Sequence, residues 1–212
     1  MQIVVIADGA KQTEFQDKQI QAGVQVYFVS TMAEAKKEAD AYFYLLEEED
    51  LQKDMEQIRE IEAPVFVNAV SVTLKDLPAN SIRICAWSGF LMQHTIEICT
   101  APQNAEKAEV VLKALDWNFQ KVPDIVGMIA PRTSAILINE AYLLLDTAAN
   151  EKQEIDAAIK LATNYTYGPF ELAEKIGIKK IYTLLIHLSA IDMRYNPAPS
   201  LKNDISDLGI TT

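Results

Sequence analysis

Met1-Gln2-Ile3-Val4-Val5-Ile6-Ala7-Asp8-Gly9, then a polar stretch over 11–22, Gly23, and Val24-Gln25-Val26-Tyr27-Phe28-Val29, is the segment that decides the fold. Ile3 to Ile6 is an unbroken β-branched run, as expected of a strand buried on both faces. The spacing over 11–22 predicts a surface helix that Gly23 ends. The second strand follows at 24–29. Residues 3–29 therefore have the length of one βαβ crossover. The apolar start has no basic residues before it and stops after about five residues, so it reads as a strand and not a signal peptide.

Working outward, strand-like runs recur at 41–46, 64–67, 82–87 and 95–99. Helical patterns lie at 51–61 and 105–115, with a short helix at most at 32–39. Short apolar strands separated by amphipathic helices predict a parallel sheet covered on its faces. After about residue 122 no strand pattern appears. Residues 132–149 are apolar nearly all round and predict a buried central helix. Further helices are expected at 154–162, 170–176 and 178–193, the last ended by Pro197 and Pro199. The domain boundary is placed near Val122-Pro123-Asp124.

Half of the 212 residues are apolar, enough for one good core or two small ones and too many for a disordered chain. The net charge is 19 − 30 = −11. That sign argues against general affinity for nucleic acid or anionic membranes, which depends on clustered Lys and Arg. Two cysteines, Cys85 and Cys99, and two histidines form no zinc-ligand spacing, so no metal site is expected. Trp87 and Trp117 make no stacking array for an oligonucleotide. No window approaches the roughly 18 apolar residues of a membrane span. A cytoplasmic protein with no nucleic-acid or membrane partner is the expectation.

Motifs in the last third carry a resemblance. Tyr167-Gly168-Pro169-Phe170-Glu171-Leu172-Ala173 with Ile176-Gly177, Asn139-Glu140-Ala141, Glu154-Ile155-Asp156 with Ala158, and Arg194-Tyr195-Asn196-Pro197-Ala198-Pro199 together resemble the C-terminal domain of the 3-hydroxyacyl-CoA dehydrogenases. The N-terminal segments follow the same family's order, but with a shortened stretch after the second strand. The resemblance implies an α/β plus all-α protein. Its first domain (1–122) would be a shortened, degenerate Rossmann-like NAD-binding-type domain. Its second (123–212) would be all-helical, of the 6-phosphogluconate-dehydrogenase C-terminal-like type, forming a homodimer through these helices.

The family's chemistry, from fatty acid metabolism, is hydride transfer from a 3-hydroxyacyl-CoA to NAD. It requires a dinucleotide site, a base and donors to the forming carbonyl oxygen. In register with the G-x-G-x-x-G fingerprint stand Ala7, Gly9 and Gln12, with Asp8 between them and Ser30 at the acidic ribose position. The cofactor-binding candidates are Gly9, Ser30 and Asn68. Glu97 matches the family's orienting carboxylate and is the one retained catalytic position. Cys85 replaces the family's His, Val70 its Ser and Pro131 its Asn. His94 is a poor replacement base, and His187, in the apolar helix over 178–193, reads as a hydrogen-bonded core or interface residue and not a ligand. The acids Glu47-Glu48-Glu49-Asp50 read as a solvated run before a helix. The lysine doublets Lys36-Lys37 and Lys179-Lys180 read as surface charge.

Two functions follow. One is a catalytically inactive relative with a structural or ligand-binding role, no cofactor, and acyl-CoA as a ligand between the domains. The other is an active NAD-dependent oxidoreductase on a 3-hydroxyacyl-CoA or small 3-hydroxy acid with a rearranged site.

Overall fold

The computed structural model describes residues 1–35, 38–147 and 151–209. Lys36 and Lys37 lie outside the described residues, as do the last two residues of the helix expected over 132–149. The chain divides into two compact units, Met1–Met128 and Ile129–Thr212. The division falls later than residues 122–124 because the intervening loop stays bonded to the first unit. Val122 donates its N–H to Ile98 O at 2.9 Å, and Gly127 donates to Val70 O at 2.8 Å.

The first unit holds β1 (Gln2–Ile6), α1 (Gly9–Asp17), β2 (Gln25–Val29), β3 (Ala41–Tyr44), α2 (Glu48–Arg59), β4 (Val65–Asn68), β5 (Ser81–Ile84), β6 (Thr95–Thr100), α3 (Ala105–Ala114) and β7 (Asn118–Lys121). One seven-stranded sheet runs β2-β1-β3-β4-β5-β6-β7. The first five strands are parallel, with Ile3 beside Val26 and Ala41, and Val65 beside Ser81. β6 is antiparallel to β5, which corrects the all-parallel expectation. Residues 85–94 are too few for the dozen or more that a parallel crossover needs. β7 lies outside the sequence expectation because its Asn-Phe-Gln-Lys residues are half-exposed or exposed at the sheet edge.

The β-branched run of β1 splits between two cores. Ile3 and Val5 join Phe15, Phe43, Phe66, Leu112 and Trp117 on one face. Val4 and Ile6 join Tyr42, Tyr44, Leu51, Ile58 and Val67 on the other. Both faces are thus covered, α1 and α3 on one side and α2 on the other, as the unbroken run requires. α1 is shorter than expected. It begins at Gly9 and ends at Asp17, while Gly23 serves a separate turn at φ +97°.

The second unit is helical: α4 (Ala130–Thr147), α5 (Lys152–Thr163), α6 (Pro169–Ile176), α7 (Ile178–Ser189) and α8 (Pro199–Asp207). Within it α4 packs against α6, α7 and α8. It buries one face, with Ala135, Ile138 and Tyr142, and leaves Ile136 and Leu144 exposed, so it is not covered all round within this unit. α7 stops before Ile191, which is exposed, and His187 is exposed on it. Pro199 does not merely end a helix; it occupies the first turn of α8, where its missing N–H costs nothing.

The motifs of this unit have local causes. The Asp156 carboxylate accepts the N–H groups of Phe170 (2.8 Å) and Glu171 (3.1 Å) at the start of α6. A Cβ on residue 168 would come within 2.4 Å of the Asp156 side chain, so only glycine fits there. Asn139 donates to Asn196 O (3.0 Å) and accepts from Ala198 N (2.9 Å), which fixes the Asn-Pro-Ala-Pro turn. Among the described residues no helix is long and apolar enough to cross a membrane.

Candidate functional site

In an open α/β sheet, ligands bind outside the carboxyl ends of the strands, where the strand order reverses. Here that place lies between β1 and β3, since β2 flanks β1 on the other side. Residues 7–12 form its floor. Asp8 is the N-cap of α1, and its Oδ1 accepts the N–H of Lys11 at 2.8 Å. Gln12 donates its side-chain amide to Ala7 O at 2.9 Å. Lys11 is 5% exposed. Its Nζ reaches across to Leu45 O, just past the end of β3, at 3.4 Å and lies 3.8 Å from a Glu47 oxygen. At Gly9 an added Cβ would meet nothing within 4 Å, so sterics impose no glycine there.

The other cofactor candidates are placed as follows. Ser30 is exposed past β2; its N–H, with that of Thr31, donates to Glu34 Oε2 at 3.0 and 3.3 Å. Asn68 is buried, and both ends of its amide are engaged, Nδ2 with Leu46 O at 3.0 Å and Oδ1 with Ala86 N at 2.9 Å. It ties together the chain ends past β3, β4 and β5.

The catalytic candidates fall on two units. β5 and β6 pair Arg83 with Cys99 and Ile84 with Ile98, and Cys85 follows directly after the end of β5. Cys85 is buried, and burial pushes its thiol far above the usual range. The Trp87 N–H and the Lys11 charge act the other way, while Glu97 and Glu48 add to the rise. Lys11, Glu48 and Glu97 thus all lie within electrostatic reach of this thiol. Val70 is fully buried. Pro131 lies in the first turn of α4, in the second unit. His94 is exposed just before β6, its ring against Thr95 Oγ1 at 3.2 Å.

The acidic run departs from expectation. The helix starts within it, and Glu48 is half-buried: its carboxylate accepts the N–H of Ser71 at 2.8 Å and of Val72 at 3.1 Å. Burial raises the Glu48 carboxyl above the usual range in spite of these donors. Sequence reasoning missed Lys11, Glu34 and Glu48 as site residues. The Thr31-x-x-Glu34 spacing of a capping box was a readable signal. Lys11 offered none, since its stretch reads as a surface helix.

What this edge can do chemically is limited. Burial disfavours the Cys85 thiolate, the form that could take a proton from an alcohol, and Glu97 lies within electrostatic reach of that thiol.

Residues 127–207 match the family model for the 3-hydroxyacyl-CoA dehydrogenase C-terminal domain. The 3-hydroxyadipyl-CoA dehydrogenase of Escherichia coli K12 is 27% identical over 72% of this chain and 33% of its own length. The probable 3-hydroxybutyryl-CoA dehydrogenase of Deinococcus radiodurans is 26% identical over 72% of this chain and 59% of its own. The chain therefore spans between a third and three fifths of these relatives. The crystal structure of (S)-3-hydroxybutyryl-CoA dehydrogenase from Ralstonia eutropha shares the fold, with a TM-score of 0.79 at 17% identity over 97% of this chain and 93% of that one. Sheet unit and helical unit together define a fold of a Rossmann-like domain followed by a helical one. Residues 127–207 belong to the 3-hydroxyacyl-CoA dehydrogenase C-terminal domain family, and the chain is similar to 3-hydroxyacyl-CoA dehydrogenases.

Proposed function

We propose that this chain carries out no dehydrogenation and serves as a structural or ligand-binding protein. The ligand class is an acyl-CoA, the partner is a second copy held through the C-terminal helices, and the setting is cytoplasmic. The observation that supports the reading is the burial of Cys85, directly after the end of β5 and within electrostatic reach of Glu97. Where the reaction needs a group that alternately holds and releases a proton near neutral pH, this edge offers a thiol kept protonated.

The test is incubation with acetoacetyl-CoA and NADH. No cofactor oxidation above background is expected; turnover that Glu97→Gln abolishes would overturn the reading. A thermal-shift series with CoA esters tests the ligand. An ester present at about 100 times its Kd adds about 2.7 kcal/mol, and no shift with any ester removes acyl-CoA from the proposal.

The second reading, an active oxidoreductase on a 3-hydroxyacyl-CoA or small 3-hydroxy acid using NAD, draws on the Lys11 and Glu97 charges within electrostatic reach of Cys85. It requires NADH turnover that depends on Lys11 as well as Glu97.

A further inference from the structure

Residues 7–12 occupy the place where a dinucleotide's pyrophosphate would be held: the first strand-to-helix turn at the switch point of the sheet. Three features there are each the reverse of what that ligand needs. A pyrophosphate takes its bonds from backbone N–H groups at the helix N-terminus; here the Asp8 carboxylate already accepts one, at 2.8 Å from Lys11 N. The N-terminus favours negative charge, and the chain supplies that charge itself. Close approach of the ligand needs a bare backbone; here Gln12 carries a side chain folded onto Ala7 O at 2.9 Å. The crevice between β1 and β3 must be open; here the buried Lys11 side chain crosses it toward Leu45 O at 3.4 Å.

We infer that Asp8, Lys11 and Gln12 form an internal plug that fills the dinucleotide crevice, so NAD does not fit this chain. The plug supplies the negative charge at the α1 terminus that a pyrophosphate would bring, and it also satisfies Ala7 O and bridges the chain ends past β1 and β3. This deepens the non-catalytic reading of the same site, but it concerns binding, and the two can fail separately.

The test is NADH fluorescence titration of the wild type and of the variant Asp8→Ala/Lys11→Ala/Gln12→Gly, with far-UV circular dichroism as the check on folding. The wild type should show no saturable change up to millimolar NADH, and the folded variant should bind at least about tenfold more tightly. Should that variant not fold, Asp8→Ser decides. Serine caps a helix about as well as aspartate but leaves the terminus uncharged, so inorganic pyrophosphate should raise its melting temperature and leave the wild type unmoved.

Saturable NADH binding by the wild type overturns the plug, as does a folded triple variant that binds no better. Equal pyrophosphate shifts in wild type and Asp8→Ser, or none in Asp8→Ser when it alone decides, overturn it too. Wild-type binding without turnover sinks the plug and leaves the non-catalytic reading standing; turnover sinks both.

Discussion

The guanidinium of Arg83 donates to the carboxylate of Asp124 at 2.6 Å, from a side chain with no exposed surface. The same guanidinium donates to the backbone carbonyls of Ala69 (3.0 Å), Val70 (3.1 Å) and Ile125 (3.2 Å). One buried cation thus joins β5, the end of β4 and the last loop of the first unit. Asp124 also accepts the N–H of Leu74 at 3.1 Å. A buried charge robbed of its partner is costly, but Asp124 is 35% exposed and water can partly replace it. Asp124→Ala should therefore lower the unfolding free energy of the first unit by about 2–3 kcal/mol, nearer the low end of such losses. Urea denaturation followed by tryptophan fluorescence reads this, because Trp87 and Trp117 both lie in that unit. A loss below about 0.5 kcal/mol would mean that the three carbonyls alone hold the guanidinium.

Gly168 and Asp156 make a matched pair in the helical unit. The carboxylate needs the space that a side chain on residue 168 would fill, and α6 needs the carboxylate to satisfy two of its first N–H groups. Gly168→Ala should cost about 1–3 kcal/mol by overpacking. Asp156→Ala should cost a similar amount, because it leaves a buried N–H unsatisfied. In the double variant the losses should add to less than their sum, since each single change breaks the same cap. Full additivity in chemical denaturation would refute the shared cap.

Much of the fold was legible in the sequence because its strongest signals are burial patterns. The run Ile3–Ile6 could only be a strand with two apolar neighbours, and Phe43, Phe66 and Trp117 supply one of them. β7 and the start of α8 were illegible for opposite reasons. β7 is polar because it is an edge strand, and Pro199 reads as a terminator although at a first turn it is a starter. The burial of Cys85 could be read from its place at a strand end. The plug could not, because which atom Lys11 reaches depends on where β3 ends beside it, a long-range fact with no local pattern.

Glu48 sets an expected pH dependence. Burial raises its folded-state carboxyl above the ordinary value of 4.5, and this outweighs the N–H donors of Ser71 and Val72. The neutral acid is thus the form the fold prefers. Its contribution to stability is complete below the unfolded value and declines as pH rises through the folded value. Glu48→Gln stays neutral throughout, so its stability relative to the wild type should improve as pH rises from about 4 to 7. Urea midpoints of both proteins across that range give the measurement. A difference that is flat with pH, or that falls, would show that the backbone donors hold the carboxylate ionised.

Thiol chemistry separates the two functional readings most directly. Cys99 is raised to about 11, by burial first and then by the Asp124 charge, and Cys85 is raised further still. At pH 8 the Cys99 thiolate fraction is then about one in a thousand, against roughly a quarter for an ordinary cysteine. Both side chains are also nearly inaccessible, at 7% exposure for Cys85 and 2% for Cys99. Ellman's reagent at pH 8 should therefore modify neither in the folded protein and both after unfolding in urea. The native rate should follow the opening of the fold and so rise with sub-denaturing urea. A single fast native equivalent that peptide mapping assigns to Cys85 would mean an accessible thiolate within electrostatic reach of Glu97. Such a thiolate could accept the hydroxyl proton that the non-catalytic reading leaves without an acceptor, and the oxidoreductase reading would then be favoured.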